Sequence, residues 1–305
     1  MNHKRIDLRV DFAFKAVFGA PGSEMILAAF LNALLRFPEN QQIQTLQLVD
    51  THLNPAYPQD KKSILDVRAK LEDGSNINVE IQLQDKEDMD ARTLFYWSKM
   101  YTEPLQAGDD YAELCRTITI NLINYSLFHE TGQHHSVFRL YEATERFLLT
   151  DLMEIHFVEL PKFLTKWQNG DVHPSEDQLV RWLLLIEAAE QEHITSVLEA
   201  IAMKEDPILH KAMETWDRVS QDPELRKEYE ARRKALMDEK AALRRAENKG
   251  REEGIQQGLE QGLEQGLEQG KIQLIRGMHK NGVSVEDIAK FTKISVEDIL
   301  RFLQG

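Results

Sequence analysis

Ser63-Ile-Leu-Asp-Val-Arg-Ala-Lys-Leu71 and Asn76-Ile-Asn-Val-Glu-Ile-Gln-Leu83 decide how this chain folds. Both alternate apolar and polar residues with the period of a β-strand, and Glu72-Asp73-Gly74-Ser75 between them carries a hairpin signal. Residues opposed across a hairpin point to the same side of the sheet, so the apolar faces must coincide. Leu65, Val67, Ala69 and Leu71 form one apolar set; Ile77, Val79, Ile81 and Leu83 form the other. All are odd-numbered, so paired positions must sum to an even number. A two-residue Asp73-Gly74 loop would set Asp66 against Ile81 and is rejected. A three-residue loop, Glu72-Asp73-Gly74, sets Asp66 against Glu80, with Gly74 in the left-handed conformation. Gln82 follows on the same face, roughly 7 Å along the strand.

Two opposed carboxylates repel unless a cation lies between them. Oxygen ligands suit a hard ion such as Mg²⁺ or Mn²⁺, usually held by one or two carboxylates with waters and substrate phosphate. The plainer reading is a solvated hairpin face whose charges pair with Arg68 and Lys70. The surroundings weigh against it. In order along the chain stand Asp11-Phe-Ala-Phe-Lys-Ala-Val-Phe-Gly19, Leu65-Asp-Val-Arg-Ala69, Val79-Glu-Ile-Gln82 and Ala91-Arg-Thr-Leu-Phe-Tyr-Trp97. Gly108-Asp-Asp-Tyr111 and Ile155-His-Phe-Val-Glu-Leu-Pro-Lys-Phe163 follow.

In the order and spacing of these pieces, Asp66…Glu80-x-Gln82 resembles the PD-(D/E)xK nuclease core. More narrowly, residues 1–165 resemble the Rpn, or YhgA-like, family of recombination-promoting nucleases and transposase-like proteins. The resemblance implies an α/β fold: a restriction-endonuclease-like mixed sheet flanked by helices, followed here by an all-helical C-terminal region. It implies a metal-dependent DNA endonuclease linked to DNA recombination or phage defence. Asp66, Glu80 and the Ile81 carbonyl would hold Mg²⁺ or Mn²⁺. Gln82 stands where the superfamily usually has lysine, and it brings no positive charge. Lys70, on the strand face of Asp66, and Lys15, on the first helix, are candidates to supply that charge. Asp11 is a candidate for a second metal or for a helix cap. Arg92 and Tyr96, one helical turn apart after the hairpin, are candidates for the same cleft, with the core an equal reading for Tyr96 and Trp97. The alternative is a catalytically inactive nuclease fold that binds DNA or protein, with Gln82 marking lost catalysis. Retention of both acids favours the enzyme.

Elsewhere the pattern predicts two helices over residues 10–37, broken near Gly19-Ala-Pro-Gly22. It predicts a strand over 45–53, a helix over 88–106, and strands at 117–124, 137–140 and 155–160. After Pro161 the signal is helical: a helix from Ser175 to about Ala189, then Asp206-Pro207 and Asp222-Pro223, each an Asp cap before Pro at the first helical position. The expected organisation is a nuclease-like domain (1–165), a helical extension (166–221), a charged then glycine-repeat helix or linker (222–270) and a small helix-turn-helix-like module (271–305). In the repeat, glycine recurs every four residues from Gly250 to Gly270, with Leu-Glu-Gln-Gly three times. Its leucines and glutamates favour a helix that self-associates, so a homo-oligomer is expected. Ser284 with Asp287, and Ser295 with Asp298, frame two short helices as capping boxes. Glu297 and Asp298 would repel phosphates at the start of the last helix, so this module reads as an assembly element before a DNA reader.

Over 305 residues the chain is 42% hydrophobic with a net charge of −14, ordinary for a globular protein. That charge argues against a passive DNA coat, although residues 222–251 hold ten Lys and Arg against seven Asp and Glu. A single cysteine, Cys115, excludes an internal disulfide framework and fits a reducing cytoplasm. No apolar stretch is long enough to span a membrane, and the first residues lack an apolar signal region.

Overall fold

The computed structural model describes residues 4–53, 63–106 and 108–304. The opening pair of segments forms a hairpin of β4 (Val67–Leu71) and β5 (Asn76–Gln82). Its register pairs Val67 with Val79 and Ala69 with Ile77, the even sum expected from the apolar faces. The turn closes where the three-residue loop requires. Leu71 N–H donates to the Ser75 carbonyl at 2.9 Å, and Gly74 takes φ +86°. One difference matters for the site. The first segment is not a single strand: Ser63–Ile64 (β3) pairs instead with His52–Leu53 (β2) in a separate two-stranded sheet, and the chain bends at Leu65-Asp66. The bend has a hydrogen-bonding cause. Leu65 N–H donates to the Thr51 carbonyl at 2.9 Å, while the Asp66 N–H and side chain bond to Glu80 and Ile81 instead of continuing the ladder.

Around the hairpin stand α1 (Asp11–Phe18), α2 (Glu24–Leu35), β1 (Leu46–Leu48), α3 (Met89–Thr102), β6 (Thr117–Ile123), β7 (His135–Phe138) and β8 (Met153–Glu159). The main sheet has the order β1-β4-β5-β6-β8-β7. Its centre, β5-β6-β8, is parallel; β1, β4 and β7 run antiparallel to their neighbours. Parallel neighbours need a crossover, and α3 supplies it between β5 and β6. The sequence of elements is the α-β-β-β-α-β order implied by the nuclease resemblance.

The two faces of the sheet differ. Ile77, Val79, Ile81, Ile118, Ile120 and Leu122 share one large core with α1, α2 and the later helices. The opposite face, under α3, is unusually polar for a buried surface: Asn78, Glu80, Thr119 and Asn121 are all fully buried. Thr93 of α3 donates to Asn121 Oδ1 at 3.1 Å, which ties the helix to that polar layer.

After β8 come α4 (Leu160–Gln168), α5 (Gln178–Glu187), α6 (Glu192–Glu205), α7 (Pro207–Gln221) and α8 (Pro223–Lys280). The two Asp-Pro junctions act as read from sequence: Asp206 accepts from Leu209 N–H at 3.0 Å, and Asp222 from Glu224 and Leu225 N–H. Leu183, Leu198, Leu209 and Trp216 pack into the same core as the sheet, so the helical extension is an integral layer of the fold. The chain divides into two units, residues 1–236 and 237–305. In the second, the glycine repeat is helical and continuous with 271–280, which do not form a helix of their own. Leu259, Leu263 and Leu267 are about two-thirds exposed on it, and a Cβ at Gly254, Gly258 or Gly262 would touch nothing within 4 Å. α9 (Val285–Thr292) and α10 (Val296–Gln304) carry both capping boxes, Ser284 Oγ to Asp287 N and Ser295 Oγ to Asp298 N, and close on a small core of Ile275, Ile288 and Ile299. Among the described residues no helix is long and apolar enough to cross a membrane.

Candidate active site

The hairpin brings Asp66 and Glu80 together at the end of the β4–β5 ladder. Asp66 N–H donates to Glu80 Oε1 at 3.1 Å, and Ile81 N–H donates to Asp66 Oδ2 at 2.8 Å. Each carboxylate thus spends one oxygen on backbone and keeps the other, Asp66 Oδ1 and Glu80 Oε2, for other partners. A strand residue's N–H and C=O point to the same edge, so the Ile81 carbonyl faces the same edge of β5 as the N–H that Asp66 accepts from. Glu80 is 1% exposed and Asp66 is half-buried. Burial, then the neighbouring Asp66, pushes the Glu80 carboxyl up to about 8. Burial also raises Asp66, to about 6, with the Ile81 N–H offsetting part of the effect. Two acids raised side by side gain from added positive charge.

Two carboxylates and one carbonyl match the sparse protein share of an Mg²⁺ or Mn²⁺ shell, which is completed by water and phosphate. Among the described residues no three His, Cys, Asp or Glu side chains gather into a fuller cage. A closed site of the structural zinc type is therefore a poor match.

Gln82 follows on β5, and Arg92 reaches it from α3. Arg92 Nη2 stands 3.3 Å from Glu80 Oε2. With the Gln82 amide oriented by its hydrogen-bond partners, its oxygen accepts from Arg92 Nη1 at 3.1 Å and Nη2 at 3.2 Å. The guanidinium lies 5.2 Å from the centre of the Tyr96 ring, a cation–π contact. Arg92 thus reaches the acids, while Tyr96 backs it from a buried cluster with Leu53, Leu65 and Met100.

The other sequence candidates are placed differently. Lys15 and Asp11, on α1, line an adjoining cavity of about 550 Å³ that also touches Asp66. Lys15 Nζ donates to Thr51 Oγ1 at 3.1 Å, and Asp11 accepts from Arg232 Nε at 3.0 Å. Lys70 is exposed and pairs with Asn76 at the far end of β4, four residues and roughly 13 Å along the strand from Asp66. Arg68 is buried against Glu103 and so is not the counter-charge for Asp66 or Glu80. Arg232, a wall of the cavity from α8, carries no sequence signal as a site residue; it lies 221 positions from its partner Asp11.

A mixed sheet flanked by helices, with two acids meeting at the end of a central hairpin, defines a nuclease-type fold. A family model described as PD-(D/E)XK nuclease family transposase matches residues 8–246. The chain belongs to that family, as its motifs led us to expect, and so carries a nuclease-like function. No curated protein and no solved structure shows significant similarity to it.

Proposed function

We propose that this protein is a metal-dependent endonuclease that hydrolyses phosphodiester bonds in DNA. The observation that carries the reading is the Asp66–Glu80 pair. Both acids are held by backbone N–H groups at fixed positions, Asp66 keeps Oδ1, and Glu80 turns Oε2 toward Arg92. A bound Mg²⁺ or Mn²⁺ would polarise the phosphoryl oxygen and make a hydroxide-like water available near neutral pH. Asp66, Glu80 and the Ile81 carbonyl would hold it. The Gln82 amide orients the attacking water. The polar layer under α3 keeps these groups in place, with Asn121 fixed between Thr93 and the His156 carbonyl. The working compartment in this reading is the cytoplasm, consistent with one half-buried free thiol, Cys115.

The test is cleavage of supercoiled plasmid by the full chain with Mg²⁺, Mn²⁺ or EDTA. Asp66→Ala and Glu80→Ala are each expected to lower the rate by at least ~10³-fold, as removal of a unit of the catalytic apparatus does. Nicking that persists in EDTA, or that survives both substitutions, rules the assignment out.

A further inference from the structure

We infer that Arg92 supplies the positive charge that Gln82 does not, and that it competes with a metal for Glu80 Oε2. The inference rests on the nuclease reading above and deepens it.

Four observations converge on Arg92. Its Nη2 is on Glu80 Oε2, the one Glu80 oxygen not engaged by the Asp66 N–H. Both terminal nitrogens reach the Gln82 amide oxygen, so glutamine tethers a cation where a lysine would itself be one. Tyr96 supports the guanidinium from beneath. Arg92 Nε is buried with no hydrogen-bond partner among the described residues, and a buried unpaired donor is costly unless a ligand completes it. Of the competing cations, Lys15 lies on the Asp66 side of the adjoining cavity, bonded to Thr51, and Lys70 stands at the far end of β4, whereas Arg92 is on Glu80 and Gln82.

The consequence is an exchange of partners. When Glu80 Oε2 is given to a divalent cation, Arg92 releases it. Still tethered by Gln82 and Tyr96, Arg92 then directs its freed Nη2 and its unpaired Nε to non-bridging oxygens of the phosphate. A guanidinium presents its donors in a planar fork that matches two oxygens of one phosphate, which an ammonium does not. Arg92 therefore opposes metal binding and favours catalysis, and these opposite effects separate it from a residue that only shapes the site.

The experiment measures Mn²⁺ binding to the full chain by titration calorimetry, and plasmid cleavage in parallel, for wild type, Arg92→Gln, Arg92→Lys, Asp66→Asn and Glu80→Gln. Circular dichroism confirms that each variant is folded. Removing a competing cation from Glu80 is expected to tighten Mn²⁺ binding by about threefold or more in Arg92→Gln. The same variant should cleave about 10²–10³-fold more slowly, the usual effect of losing one transition-state donor. Arg92→Lys should recover part of the rate. Unchanged cleavage in Arg92→Gln overturns the inference, and so do cleavage and affinity falling together. If Asp66→Asn and Glu80→Gln abolish Mn²⁺ binding while Arg92→Gln changes nothing, the nuclease reading stands and the Arg92 role alone fails. If Asp66→Asn and Glu80→Gln bind Mn²⁺ like the wild type, the reading and the inference fall together.

Discussion

Glu154 and His135 show how much a single side chain's surroundings decide, away from the proposed site. On the α2 side of the sheet, His135 Nε2 lies 2.9 Å from His156 Nδ1, and His156 Nε2 lies 2.7 Å from Glu154 Oε1. Burial alone would raise Glu154, but hydrogen bonds from His156, Arg139 and Arg116 outweigh it and hold the carboxyl far below its usual range. Glu154 thus holds one edge of the His156 ring, and the other edge faces His135. Burial, and then the neighbouring His156, His134 and Arg36, depress His135 from 6.5 to about 3. The unfolded chain therefore takes up this proton first, and His135 costs stability progressively as pH falls below about 6.5. Between pH 7 and 5 the wild type is expected to lose about 1–2 kcal/mol more than His135→Gln, whose amide keeps the donor. Urea melts at the two pH values measure it, and parallel losses in the two proteins would contradict the assignment.

The hairpin is where one element carries both fold and site. Gly74 has φ +86°, and a Cβ there would sit 3.1 Å from Cys115 Sγ. Gly74→Ala should therefore cost about 1–2 kcal/mol, the usual penalty of the left-handed conformation, read as a shift in the urea midpoint. Its register was legible because it needs only local information: two alternating apolar sets and a turn over 21 residues, 63–83. The bend at Asp66 was not, because it depends on Leu65 bonding to Thr51, outside the hairpin. Alternation cannot report a hydrogen bond made to another segment. The helix α3 was read from its pattern, and the reach of Arg92 toward the cleft from its place on that helix. That Glu80 and Gln82 share the same guanidinium appeared only when the crossover returned α3 over β5.

For the molecule as a whole, the second unit poses the question of assembly. Leu259, Leu263, Leu267 and the glycines beside them present a stripe that is exposed among the described residues. Glycine every four residues costs an isolated helix about 1 kcal/mol each against alanine, so the stripe calls for close packing by another helix. We propose that the partner is a second copy of this chain. Truncation after Asn248 should lower the mass in solution, by light scattering, to that of a monomer; an unchanged mass would remove the idea. In the first unit, Arg232 pairs with Asp11 beside the cavity that reaches Asp66. The pair is partly exposed, so Arg232→Ala should cost less than about 1 kcal/mol of stability in a urea melt, while opening the cavity wall.

By itself the sequence was sufficient for the order of the elements, the three-residue turn and the meeting of Asp66 with Glu80, while the nuclease-type core was implied by the resemblance of its motifs. It also carried the Asp-Pro helix starts and the two capping boxes. The elements, turn and caps follow from periodicity and short-range hydrogen bonding, which act between neighbours in the chain. The folded protein determined which cation stands at Gln82, where the strand bends, and which helix walls the adjoining cavity. Arg92, Thr51 and Arg232 reach those places through packing between segments far apart in sequence, and such contacts leave no periodic trace in any one of them.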